Sequence, residues 1–302
     1  MIKGDALKTV GLIVNPTAGK GNGLLVGKQV SELLAGQNIG VLDLSGSSEQ
    51  SARSAASRAI KQGDLDALLV VGGDGVVHLG ANLCAETEVP LGIIACGTGN
   101  DVAAGLDLPI NDAQASVNRA IAKLPNPRRI DAGKAHSSAG QFWFIGTVSA
   151  GFDALVNRRA NQMSWPTGQR RYELAMLLEL AAFKPIHYEL VIDGKPRSVD
   201  AMLCAVANCP SFGGGMLITP DAQIDDGMLD LFVVHKISRP ELIRIFPKVY
   251  TGAHVSHPAV EIIRAKSIKI NAGQMPVFSD GESVGHSPVS ITVVAGALAV
   301  LA

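Results

Sequence analysis

Along the first 131 residues, short unbroken apolar runs alternate with stretches whose apolar positions recur every three or four residues. The runs are TVGLIVN (Thr9–Asn15), IGVLDLS (Ile39–Ser45), DALLVV (Asp66–Val71) and LGIIA (Leu91–Ala95). A strand that is apolar at successive positions is covered on both faces, and that occurs in a parallel sheet flanked by helices. Between the second and third runs, SEQSARSAASRAIKQG starts on Ser48, has an alanine-rich body and ends on Gly63. A serine cap and a closing glycine predict a helix there.

After PNPRR (Pro125–Arg129) the pattern changes. RRIDAGKAH, QFWFIGTVSA, IHYELVIDGKPRSVDAMLCAVAN, MLDLFVVHKI and VEIIRAKSIKINAGQMPVFSDGE read as antiparallel strands, with Asp193–Lys195 as a hairpin turn. Two helical segments interrupt them, about Thr167 to Phe183 and Arg239 to Tyr250. The expected fold is an α/β, doubly wound parallel-sheet domain over residues 1–131, rejoined by the tail 291–302, with an antiparallel β-sandwich or open barrel over residues 132–290.

Composition narrows the function. Hydrophobic residues make up 47% of the 302 and charged residues 18%, an ordered globular balance. A net charge of -1 provides no broad basic field, so nucleic acid is not an expected partner. The longest apolar run, ITVVAGALAVLA, falls short of the ~20 residues of a membrane span. The first residues lack a secretory pattern, so the expected location is cytoplasmic, at most peripheral at the inner membrane face. Cys84, Cys96, Cys204 and Cys209 have no paired metal spacing and read as buried thiols.

Three glycine-rich turns follow expected parallel strands: NPTAGKGNG (Asn15–Gly23), GGDG (Gly72–Gly75) and CGTGND (Cys96–Asp101). Open parallel sheets bind ligands beyond the carboxyl ends of their strands. Glycine lets backbone N–H groups face phosphate oxygens, although each turn alone is also ordinary strand–helix chemistry. The chain lacks a Walker P-loop, because Val14 and Gly21 stand where that motif needs Gly and Ser or Thr. Gly19, Gly21 and Gly23 do not give G-x-G-x-x-G, but with Asp43 they keep an NAD(P)-dependent oxidoreductase open.

In their order and spacing, NPTAGKG, GGDG and GTGND resemble the diacylglycerol kinase catalytic domain, the soluble bacterial lipid kinases related to sphingosine and NAD kinases. FGGGMLITPDAQIDDGMLDLFVV (Phe212–Val234) and SDGE (Ser279–Glu282) extend the resemblance over nearly the whole chain. It implies transfer of the γ-phosphate of ATP, with Mg2+, to a lipid alcohol such as diacylglycerol, in a cleft between two domains. The implied nucleotide positions are Asn15, Pro16, Thr17, Ala18 and Gly19, then Ser45, then Gly72, Gly73, Asp74, Gly75, Val76, Val77, His78 and Leu79, with Thr98. Asp74 would act on the phosphates through Mg2+; read without the resemblance, it caps the following helix. Asp280 would be the base that takes the alcohol proton, with Glu282 orienting it or helping to hold Mg2+; the dipeptide Asp280-Gly281 alone reads as a hairpin turn. Asp226 and the backbone carbonyls of Gln223 and Met228 would hold a second, loop-stabilising Mg2+, where the bare pattern reads as an Asp-Gly turn.

The chain departs from the family pattern at Val76, where a threonine is usual, and at Leu79, where a glutamate is usual. Leu79 keeps open a catalytically weakened relative that binds nucleotide or lipid as a regulator. In the segment Arg158–Lys184, Arg158, Arg159, Arg170 and Arg171 accompany Met163 and Trp165, which suits transient contact with an anionic membrane surface. An amphipathic helix with a solvated basic face is the other reading. A homodimer is a further candidate assembly.

Overall fold

The computed structural model describes residues 8–150, 156, 159, 162–166, 169–182 and 184–302. The chain divides into two compact units, Met1–Ile130 with Gly296–Ala302, and Asp131–Ala295.

The first unit is α/β. Its strands are β1 (Thr9–Val14), β2 (Gly40–Asp43), β3 (Ala67–Gly72) and β4 (Leu91–Ala95). They pair in parallel in the order β4-β3-β1-β2. Every residue of β3 and β4 is buried, as expected for strands covered on both faces. Helices α1 (Gly23–Gly36), α2 (Glu49–Gln62), α3 (Asp74–Cys84), α4 (Asp101–Gly105) and α5 (Ala113–Lys123) follow the strands. Val30 and Leu34 of α1 and Val117 and Ala120 of α5 pack with Val10, Leu12, Leu69, Val71 and Ile94 of the sheet. Helix α2 begins as its sequence requires: the Ser48 hydroxyl accepts from the Ser51 N–H, and the Ser51 hydroxyl accepts from the Ser48 N–H. It ends on Gly63 at φ 75, a conformation that suits glycine. The last residues belong to this unit: Val300 pairs in parallel with Leu91, and the Leu301 N–H donates to the Leu91 carbonyl at 2.9 Å.

The second unit is β-rich. Its strands are β5 (Arg128–Ser137), whose first residues lie in the first unit, β6 (Gly140–Phe144), β7 (Thr147–Ala150), β8 (Ile186–Ile192), β9 (Lys195–Ala207), β10 (Leu229–His235), β11 (Val260–Ala265), β12 (Ser267–Asn271), β13 (Pro276–Ser279), β14 (Glu282–His286) and β15 (Val289–Val300), which continues into the first unit. Strand β9 carries the topology, because it pairs antiparallel with β8, β7 and β10. β10 pairs with β11, β12 with β8 and β15, and β13 with β7 and β14, all antiparallel. One apolar cluster gathers Phe144, Val148, Tyr188, Leu190, Val206, Leu231 and Ile270; a second gathers Met202, Ala205, Met216, Phe232 and Leu242. The hairpin between β8 and β9 turns on Asp193 (φ 45) and Gly194 (φ 78). The Asp193 carboxylate also accepts from the N–H groups of Lys266 and Ser267, which fastens the turn to β12.

One sequence expectation needs correction. The helix expected over Arg239–Tyr250 is α-helical only from Arg239 to Ile245, and Phe246–Thr251 is a 3-10 turn. Pro247 is the reason: it has no N–H, and its ring clashes with the carbonyl four residues back. The earlier helix runs from Gln169 to Ala182, while Thr167 and Phe183 lie outside the described residues. No disulfide joins the four cysteines, all buried; burial pushes the Cys84 and Cys204 thiols up to about 12. Among the described residues no helix is long and apolar enough to cross a membrane.

Candidate functional site

In the first unit the three glycine turns meet at the ends of the parallel strands. The Asn15 N–H donates to the Val71 carbonyl at 2.9 Å, joining the start of the first turn to the end of β3. Asn15 Oδ1 accepts from the Thr17 N–H at 3.0 Å and from the Thr17 hydroxyl at 2.8 Å, which curls the chain through Pro16. Gly19 sits at φ 58, and a Cβ on it would lie 2.6 Å from the Cys96 carbonyl oxygen. The second and third turns also touch through backbone: a Cβ on Gly97 would stand 2.3 Å from Gly73 Cα. These approaches require glycine, and they leave N–H groups unshielded by side chains.

Asp74 is not the cap of α3; Gly73 is. The Asp74 carboxylate instead reaches the third turn, where Oδ2 accepts from the Asn100 N–H at 2.8 Å. Asn100 is buried at φ 58. Its side-chain oxygen accepts from the Gly97 N–H at 2.9 Å, and its amide nitrogen donates to the Gly97 carbonyl at 2.9 Å. Asn100 thus closes the third turn and positions Asp74. Its place inside GTGND was visible in the sequence, but its role as a clasp was not. A Cβ on Gly99 would stand 2.5 Å from Asp74 Oδ2 and 3.5 Å from Asp101 Oδ2, so two carboxylates converge on that glycine. This donor set suits a divalent cation carried with phosphate.

Ser45 Oγ accepts from the Val14 N–H at 3.0 Å and ties the end of β2 to that of β1. Val76, Val77, His78 and Leu79 are buried, so these positions present little side chain to solvent. His78 Nε2 lies 3.2 Å from Asn82 Nδ2 within α3. Leu79 is 3% exposed, and a carboxylate there would bear a desolvation cost that leucine does not.

In the second unit, Asp280 and Gly281 form the two-residue turn between β13 and β14, at φ 49 and 88. The Asp280 carboxylate folds back onto three successive backbone N–H groups. Oδ1 accepts from Gly146 at 3.0 Å and Thr147 at 2.8 Å, and Oδ2 from Ile145 at 3.3 Å. The turn and the nest together fix its direction. Beside it, the Asn208 N–H donates to the Gly146 carbonyl, and Asn208 Nδ2 donates to the Asp131 carbonyl at 3.0 Å. Asn208 is not among the sequence candidates; its bonds to Gly146, just before β7, and to Asp131 of β5 bring it beside Asp280.

In the loop that carries Gln223, Asp226 and Met228, the one carboxylate has two partners within the fold. Asp226 Oδ2 accepts from the Arg264 guanidinium, and Oδ1 accepts from the Met228 N–H at 3.0 Å.

Known proteins share this anatomy. The diacylglycerol kinase catalytic domain matches residues 9–135, and the YegS C-terminal NAD kinase beta sandwich-like domain matches residues 146–302. A diacylglycerol kinase of Mycobacterium tuberculosis is 38% identical over 291 residues, covering 96% of this chain and 93% of that protein. One from Bacillus subtilis is 28% identical over 293 residues, covering 93% and 92%. The crystal structure of a diacylglycerol kinase from Bacillus anthracis superposes with a TM-score of 0.72 at 22% identity, covering 99% and 98%, which establishes the shared fold. The α/β unit and the sandwich-like unit are therefore those of a lipid kinase. The chain belongs to the diacylglycerol kinase family.

Proposed function

We propose that this protein transfers the γ-phosphate of ATP to the hydroxyl of a lipid alcohol of the diacylglycerol type. The observation that carries the reading is the meeting of three glycine turns at one sheet edge, with Asp74 drawn across to the third by Asn100. Bare N–H groups there bind the triphosphate. Asp74 and Asp101 would hold Mg2+, which would supply neutralisation of phosphate charge. Asp280 accepts the proton of the lipid hydroxyl. The lipid oxygen bonds to the γ-phosphorus, the bond from that phosphorus to the β–γ bridging oxygen breaks, and ADP leaves. Such transfer depends on positioning and charge more than on covalent chemistry, and the nest around Asp280 supplies positioning.

The test is incubation with γ-labelled ATP, Mg2+ and a total lipid extract. One or a few labelled lipids are expected; folded protein that labels none would overturn the reading.

Transient membrane contact belongs to the same proposal. Trp165 is 77% exposed, and Arg170 is exposed nearby in sequence; Arg158 lies outside the described residues. The protein should sediment with anionic vesicles at low salt and be released at high salt. Absence from the pellet at every salt concentration would refute the contact.

A further inference from the structure

Arg264 lies on β11, directly opposite Asp230 of β10 in the antiparallel register. From there its guanidinium also reaches Asp226, in the loop that leads into β10. Asp230 is buried, and its carboxyl is raised above its ordinary range by burial; Arg264 opposes that rise, while Asp226 and Asp221 add to it. Three carboxylates thus bear on one another around a single strand end, with one guanidinium among them.

The loop's own hydrogen bonds are consistent with that arrangement. The Gly227 N–H donates to Asp131 Oδ2 at 2.5 Å, and the Asp131 N–H donates to the Ile224 carbonyl at 2.8 Å. Asn208 Nδ2 donates to the Asp131 carbonyl, and the Asn208 N–H donates to the Gly146 carbonyl. Gly146 in turn donates to Asp280. A continuous set of bonds therefore runs from the Asp226 loop to the turn that bears Asp280.

We propose that Arg264 is a tethered cation that closes the Asp226 loop, so that this loop needs no divalent metal. Mg2+ demands near-octahedral oxygen ligands at about 2.0–2.1 Å and binds through carboxylates that face it. Here the Asp226 carboxylate already accepts from a guanidinium and a backbone N–H. A divalent ion at the same oxygens would have to displace Arg264 or sit against its charge. A guanidinium stays protonated and cannot be removed by chelation, so the loop is closed at all Mg2+ concentrations.

The experiment is amide hydrogen exchange at Gly227 and Met228 on the full chain, without nucleotide or lipid, in chelator and in millimolar Mg2+. Wild type should exchange at the same rate in both. Arg264→Ala should exchange faster in chelator, by roughly fivefold, the upper end for a partly exposed ion pair. Millimolar Mg2+ should restore protection in Arg264→Ala but not in Arg264→Ala with Asp226→Asn. Arg264→Lys, which keeps the charge, should lie between wild type and Arg264→Ala. The side chain of Arg264 is 54% exposed, so its removal leaves the core of the unit intact. Saturable slowing of wild-type exchange by Mg2+ overturns the proposal, and so does an Arg264→Ala chain indistinguishable from wild type. Neither result bears on lipid phosphorylation, since Mg2+ entering with nucleotide acts at Asp74 and Asp101.

Discussion

Asp280→Asn should reduce lipid labelling from ATP by about 10²–10⁴-fold, the usual worth of a positioned general base. The loss should fall on kcat, while ATP binding by the first unit is retained. The substitution also has a structural cost. The Asp280 carboxylate accepts three N–H bonds, and an asparagine can offer its single oxygen to only some of them. Its amide nitrogen would then meet a backbone N–H, donor against donor. Thermal unfolding of the variant separates the two effects: a modest drop in Tm with a large drop in kcat is the catalytic signature. Equal labelling by variant and wild type would remove Asp280 from its role.

Gly97→Ala should weaken ATP binding roughly five- to 150-fold, the range that about 1–3 kcal/mol of overpacking gives. The added methyl would stand 2.3 Å from Gly73 Cα and 2.9 Å from Gly73 N. Both neighbours are backbone, so no side chain can rotate away, and the second and third turns must separate. Asn100 holds Gly97 from both sides and Asp74 from its own N–H, so the displacement reaches the carboxylate as well. Gly36→Ala is the matched control. It lies near the end of α1 with nothing within 4 Å of its added methyl, and it should leave ATP binding unchanged. Titration of ATP by calorimetry decides: affinity in Gly97→Ala equal to wild type would show that the turns do not act together.

What the sequence made legible was governed by local rules. Apolar runs located β1 to β4, a serine and a glycine located the ends of α2, and Asp-Gly located the hairpin between β8 and β9. Each depends on residues within one turn or one strand. Pro247 is local too, and its effect on the helix after Arg239 is a local rule of the same kind. The contacts that shape the candidate site are of another kind. Asp280 meets backbone from 133 to 135 residues earlier, and Asp226 meets an arginine 38 residues later. Strand registers create those meetings, and no periodicity in the chain encodes them. The resemblance supplied the candidate residues but not their partners: it points to Asp226, and the fold brings Arg264 to that carboxylate.

The edge of the first unit at β4 is completed by Val300 and Leu301. A ribosome must therefore release all of the second unit before the first can finish its sheet. An amino-terminal domain ordinarily folds ahead of its successors, whereas here its sheet is completed only after the second unit has been synthesised. Until Val300 arrives, Leu91 at the β4 edge has unpaired backbone groups, the kind of edge that can template pairing with another chain.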